Sequence, residues 1–214
     1  MKRTPVKQNN WDDDYYTKLA QKEGYPARSV YKLKEIQEKF SLIKKGDHVL
    51  DLGCAPGSWL LYVSDLVGLK GRVYGIDLKE LEISPPGNAE VVVDDIYSFN
   101  EDKIRAFPYR FDVVVSDMAP NTIGNKNVDA VRSCVLCESA LYMAQNLLKP
   151  GGNFVCKIFQ GPDFDQFKKQ VQDSFQSCRI LKPKSTRKQS REIFIAGLKL
   201  KPPDPDQTGD HALP

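Results

Sequence analysis

Lys157 follows the apolar run Phe154-Val155-Cys156, in a stretch that otherwise reads as a buried strand. An ammonium there is disfavoured by desolvation unless the strand end opens on a site or the side chain snorkels out to water. A second chemical signal is the run Asp51 to Trp59, DLGCAPGSW, which closes a short apolar segment. Its glycines, alanine, cysteine and proline bend the backbone sharply and carry little bulk, so a ligand can approach closely. Carboxylates end two further apolar runs, Asp77 in GIDL and Asp95 in VVVDDI.

Three ligands compete for the glycine turn. A phosphate-binding loop needs a Lys followed by Ser or Thr at the helix start, and Ser58-Trp59 offers neither. A dinucleotide fingerprint needs glycines where the backbone meets the pyrophosphate and where helix packs on strand, and those positions hold Ala55 and Ser58. Asp77 is placed to accept from ribose hydroxyls and Asp95 to meet an adenine edge. Ribose plus adenine without a phosphate device fits S-adenosyl-L-methionine better than a nicotinamide dinucleotide, although either aspartate alone also reads as a solvated strand end. Gly53, Gly57 and Trp59 complete the expected cofactor cradle, Gly57 by close approach of its N–H at a helix start.

These residues need a scaffold. Short runs rich in Val, Ile and Phe at 49–52, 72–78, 89–93, 111–116, 152–159, 179–183 and 192–200 read as strands. Helical spacing covers 58–67, 101–107, 128–148 and 164–175, with Gly151-Gly152 as a stop after the third. The alternation predicts an α/β fold, a mostly parallel seven-stranded sheet with helices on both faces, because parallel neighbours need crossovers. The last two strands lack a helix between them and predict an antiparallel hairpin. Residues 29–40 place Val30, Leu33, Ile36 and Phe40 on one stripe, a helix covering a sheet face or edge.

The 214 residues suit one domain with a substantial core. With 31 Lys and Arg against 28 Asp and Glu, net charge is only +3, so the placement of charge says more than its sum. The five cysteines fit free thiols in a reducing compartment. Cys134 and Cys137 form a CxxC inside a helical run with no second ligand pair, so no metal is expected. No run is long and apolar enough for a membrane span, and the first residues lack a signal-peptide core, which predicts a soluble cytoplasmic protein.

DLGCAPGSW, SDMAPNTIGNKNVD (Ser116–Asp129), CKIFQG (Cys156–Gly161) and SREIFIA (Ser190–Ala196) together resemble the FtsJ/RrmJ family of RNA ribose 2'-O-methyltransferases. The likeness runs from about Tyr15 to Leu198 and is nearest to the members acting on bacterial large-subunit (23S) rRNA. It implies a Rossmann-like S-adenosylmethionine-dependent methyltransferase domain at 29–200, between a basic and aromatic extension at 1–28 and a disordered tail at 201–214. It also implies a catalytic tetrad of Lys32, Asp117, Lys157 and Glu192, with Lys157 taking the 2'-hydroxyl proton and Asp117 also bordering the cofactor. The MAPN of Met118–Asn121 favours a uridine in the peptidyl-transferase region over a tRNA anticodon loop. A ribosome-assembly protein that binds RNA without catalysis is the other class, and the complete tetrad counts against it.

RNA is the expected partner, within a ribosomal particle, bound by a monomer; DNA and membrane are not. The stretch RILKPKSTRKQSR (Arg179–Arg191) has six basic and no acidic residues and leads into Glu192. Lys184, Arg187, Lys188 and Arg191 are read as phosphate contacts, which fix position more than sequence choice. Arg28 joins them from the extension, which also carries Lys2, Arg3, Lys7, Lys18 and Lys22, with Tyr15, Tyr16 and Tyr25 available to stack on unpaired bases.

Overall fold

The structure, a computed structural model, describes residues 11–202. Strands β1 (His48–Leu52), β2 (Arg72–Asp77), β3 (Ala89–Val93), β4 (Phe111–Ser116), β5 (Leu148–Phe159), β6 (Phe175–Leu181) and β7 (Glu192–Leu200) form one sheet ordered β3-β2-β1-β4-β5-β7-β6. The first five run parallel, and β7 enters antiparallel between β5 and β6. The chain steps outward from β1 to β3 and returns on the other side as β4. Strand order therefore reverses between β1 and β4, where open sheets of this kind bind ligands beyond their carboxyl ends.

Alternation along the strands splits the core in two. Val49, Val113, Val115, Val155 and Phe194 pack against helices α2 (Val30–Phe40) and α3 (Ser58–Val67) through Leu33, Ile36, Leu60 and Val63. Leu50, Leu52, Val114, Phe154 and Cys156 meet α5 (Lys126–Leu147) and α6 (Phe164–Ser174). The α2 stripe is as expected, with Val30, Leu33 and Ile36 fully buried. The remaining helices are α1 (Trp11–Lys22) and the short α4 (Glu101–Arg105). Among the described residues no helix is long and apolar enough to cross a membrane.

Three boundaries differ from the sequence reading. Gly151-Gly152 does not separate helix from strand: β5 starts at Leu148, which pairs with Phe111, and the register then shifts before Val113 meets Asn153. The glycines sit in that irregularity, Gly151 at φ +82°. β6 starts at Phe175 rather than Arg179, because Phe175 pairs with Leu200 and stacks on Phe154 with centroids 6.0 Å apart. Position 201, where the sequence reading starts a tail, is still held by the domain: Lys201 N–H donates to the Ser174 carbonyl and its Nζ reaches the Gln172 and Asp173 carbonyls. Residues 203–214, and the basic Lys2, Arg3 and Lys7, lie outside the described residues.

Tyr16 and Tyr25 of the extension are docked rather than free to stack on bases. Tyr16 packs on Tyr31 at 5.2 Å, and Lys34, paired with Glu23 at 2.7 Å, lies over the Tyr25 ring. Of the three tyrosines expected to stack on bases, two are engaged inward and Tyr15 stays exposed. Burial raises the Tyr31 phenol pKa, with the Glu23 carboxylate adding to it.

Candidate active site

The carboxyl ends of β1, β2 and β4 and the residues after β3 border a cleft of about 380 Å³. Gly53, Asp77, Asp95 and Asp117, which the sequence reading assigns to the cofactor, line it. Asp77 holds the turn as well: Oδ2 accepts from the Ala55 N–H at 2.9 Å and Oδ1 from the Lys79 N–H at 2.9 Å. Asp95 Oδ1 caps the short helical turn Ile96–Ser98 through the Tyr97 N–H at 3.0 Å.

The glycine turn is less open than its composition suggests. Gly53 has φ +79° and a Cβ there would lie 2.6 Å from Met118 Cγ; at Gly57, φ +117°, it would meet Ile83 Cδ1 at 2.6 Å. These glycines make room for the protein's own side chains. The left-handed backbone adds a second reason, since residues with a Cβ are strained there. Gly57 caps α3 and is buried, leaving only main-chain groups to offer a ligand.

The Trp59 side chain does not enter the cleft. Its ring stacks on Phe194 at 5.8 Å and its Nε1–H donates to the Ser29 carbonyl at 2.9 Å. Beside it Ser58 Oγ accepts from the Ala27 N–H at 2.7 Å and donates to the Ala27 carbonyl at 3.0 Å. Ser58 stands where a dinucleotide site would want glycine because its hydroxyl grips the segment leading into α2. Together the two residues seat the helix that carries Lys32.

The four residues of the expected tetrad form two ion pairs. Lys157 Nζ lies 2.9 Å from Asp117 Oδ1 and also donates to the Asp117 carbonyl. Lys32 Nζ lies 2.7 Å from Glu192 Oε1. Lys157 pairs with Phe194 and Phe159 with Glu192 across the β5–β7 ladder, so Lys157 and Glu192 sit diagonally on one sheet face. That is the face covered by α2, which explains how a lysine flanking an apolar stripe reaches β7. Thr186 Oγ1, at 3.4 Å, is a weak second neighbour of Glu192.

The basic loop between β6 and β7 exposes Lys184, Arg187, Lys188 and Arg191, while Pro183, Ser185 and Thr186 are buried beneath them. Arg28 Nη2 donates to the Ser185 carbonyl at 2.7 Å, so its guanidinium is set on this loop. Cys134 and Cys137 are buried in α5, with Cys137 Sγ 3.0 Å from the Lys157 carbonyl.

Asp51, which opens the glycine stretch, carried no role in the sequence reading. It is fully buried and both carboxylate oxygens lack a hydrogen-bond partner. Desolvation first, then the charges of Asp117 and Asp77, push its pKa well above the usual Asp value. Only the absence of a paired cation in the sequence around it could have signalled this.

A cleft at the reversal of strand order, beside the Lys157–Asp117 pair, defines a Rossmann-like ligand-binding fold. A family model described as FtsJ-like methyltransferase matches residues 25–200. The chain belongs to the FtsJ-like methyltransferase family and is a methyltransferase. It is 54% identical over 196 residues to the ribosomal RNA large subunit methyltransferase E of Desulforapulum autotrophicum, covering 92% of this chain and 96% of that protein. The protein of the same name from Desulfatibacillum aliphaticivorans is 53% identical over 197 residues, covering 92% and 95%. A solved Plasmodium falciparum structure assigned as a ribosomal RNA methyltransferase superposes with TM-score 0.73 at 29% identity, covering 82% of this chain and 98% of that one.

Proposed function

We propose that this protein methylates a ribose 2'-hydroxyl of large-subunit ribosomal RNA, a uridine in the peptidyl-transferase region, using S-adenosylmethionine. The observation that carries the reading is the double position of Asp117, which borders the cleft and holds Lys157. Cofactor and reacting hydroxyl can therefore meet at one strand end. The relatives' names supply the RNA class.

The cleft suits this cofactor on its own chemistry. Asp77, Glu80, Glu82, Asp94, Asp95 and Asp117 all line it. Asp94 and Asp117 are paired with Lys103 and Lys157, and Lys79 also lines the cleft, but the remaining surplus of carboxylates still favours a ligand of net positive charge such as this sulfonium over a pyrophosphate. Ile96 and Tyr97 supply apolar surface beside Asp95 for an adenine ring. When bound, S-adenosylmethionine supplies a methyl group already activated by positive charge.

The protein's residues then have to align the hydroxyl and accept its proton. Lys157 is the proton acceptor, with its amine directed by Asp117. Glu192, fixed by Lys32, faces the same side and grips the ribose from β7. Lys157 accepts the proton as the neutral amine, and alignment of the hydroxyl with the methyl group contributes much of the rate; orientation can lower a barrier by ~7 kcal/mol or more.

Mapping methylated riboses in ribosomal RNA from cells with and without the gene tests the target: one position should lose its mark. Thermal melts with S-adenosylmethionine or a nicotinamide dinucleotide test the cofactor, since a ligand of the native state raises Tm. A rise with the dinucleotide alone would overturn the reading.

A further inference from the structure

The basic loop carries many like charges and no acid of its own, which by itself favours an extended, mobile segment. It is nevertheless folded. The Thr186 N–H donates to the Pro183 carbonyl at 3.0 Å and the Ser190 N–H to the Arg187 carbonyl at 2.9 Å, giving two successive turns.

What holds the turns comes from another element. Glu35 Oε2 accepts from the Lys184 N–H at 2.7 Å and Oε1 from the Ser185 N–H at 2.9 Å, so one carboxylate grips two consecutive main-chain amides. Arg28 completes the grip through the Ser185 carbonyl. Lys32 and Glu35 stand three residues apart on α2, flanking the buried Val30, Leu33 and Ile36, and Arg28 lies in the turn that leads into the helix. Between the two residues on the loop stands Lys32, bound to Glu192 where the loop ends.

We propose that Glu35, assisted by Arg28, is a positioning residue for RNA, holding the loop of Lys184, Arg187 and Lys188 in fixed register with the Lys32–Glu192 pair. This rests on the reading of the protein as an RNA ribose methyltransferase. The loop's cations bind phosphates, and the reacting ribose is tied to those phosphates by a short covalent path. A loop pinned to the helix that also holds Glu192 presents the ribose at a set distance from Lys157. Glu35 has this effect without touching RNA. Its two charge-assisted hydrogen bonds act on the main chain, while the Lys184, Arg187 and Lys188 side chains stay exposed.

The test compares Glu35→Ala and Glu35→Gln with wild type in three measurements. Hydrogen exchange at the Lys184 and Ser185 amides should speed up at least tenfold in Glu35→Ala, since both protecting bonds are lost. The KM for ribosomal RNA substrate should rise about tenfold while kcat at saturating RNA stays within about threefold and the S-adenosylmethionine Kd is unchanged. Glu35→Gln, which keeps one acceptor oxygen, should fall between the two. Unchanged RNA KM in Glu35→Ala, or a raised KM accompanied by a comparable loss of kcat and a weakened (raised) S-adenosylmethionine Kd, would overturn the inference. A wild type that methylates no RNA would overturn the proposed function and this inference with it; a wild type that does so, matched by Glu35→Ala, would overturn the inference alone.

Discussion

Asp117 holds Lys157 at two points, its Oδ1 2.9 Å from Nζ and its main-chain carbonyl accepting from the same amine. The amine of β5 is thereby locked to the end of β4, at the border of the cleft. The side chain is 8% exposed, so substrate would meet an amine already held in one direction. Lys157→Ala should abolish methyl transfer while S-adenosylmethionine binding survives, because the contacts proposed for the cofactor lie with the turn, Asp77 and Asp95. Equilibrium dialysis and single-turnover assays separate the two. Turnover within tenfold of wild type would remove Lys157 as proton acceptor.

Asp77→Ala should show the opposite pattern. Losing charge-assisted bonds to a ribose weakens cofactor binding by roughly 1 to 3 kcal/mol. The same carboxylate anchors the Ala55 and Lys79 amides, so the turn loosens too and the loss should fall at the upper end of that range. Saturating cofactor should restore most of kcat. A kcat near zero at saturation, with the fold intact by circular dichroism, would give Asp77 a part in the chemical step.

Asp51 makes a prediction about stability and pH. Its folded carboxyl keeps its proton to higher pH than in the unfolded chain, because desolvation, then Asp117 and Asp77, disfavour the charge. Between the ordinary Asp pKa of about 3.9 and the raised value, the folded state binds more protons, so stability falls as pH rises, by at most about 1.4 kcal/mol per pH unit. Asp51→Asn removes that dependence. In cofactor-free protein the variant's Tm should gain on wild type as pH rises from 4, then level off. Parallel melting curves across that range would show that Asp51 does not titrate differently in the fold.

The strands and the closing hairpin were legible because β-branched and aromatic runs fit a buried pleated surface, and the absence of a helix before Glu192 left only an antiparallel return. The strand starts at Leu148 and Phe175 were not, since each depends on a partner far along the chain, Phe111 in one case and Leu200 in the other. Trp59 was assigned to the cleft from its neighbourhood in the motif, but the direction of an indole follows from what packs beside it, here Phe194 and the Ser29 carbonyl. Glu35 left no trace in the sequence: a glutamate on the polar side of an amphipathic helix is ordinary, and its partners lie about 150 residues away.

The salt dependence of RNA binding gives the most direct reading of the loop. Buried Pro183, Ser185 and Thr186 alternate with exposed Lys184, Arg187 and Lys188, so the loop offers three cations on a folded base. Phosphate contacts release counterions, and each contributes ~0.7 to 0.9 to the slope of log affinity against log salt. Changing Lys184, Arg187 and Lys188 together to Gln should therefore make that slope shallower by about 2 to 3 units. Cofactor affinity should stay as it is, because the cleft lies at the carboxyl ends of β1, β2 and β4 and none of the three lines it. The main-chain bonds from Glu35 to the Lys184 and Ser185 amides survive these substitutions, so the loop keeps its shape and only its charge changes. The measurement is a salt titration of binding to ribosomal RNA for wild type and the triple variant, with thermal melts to confirm folding. An unchanged slope would take these three residues out of the RNA path and move it toward the exposed face of the N-terminal helix that carries Tyr15.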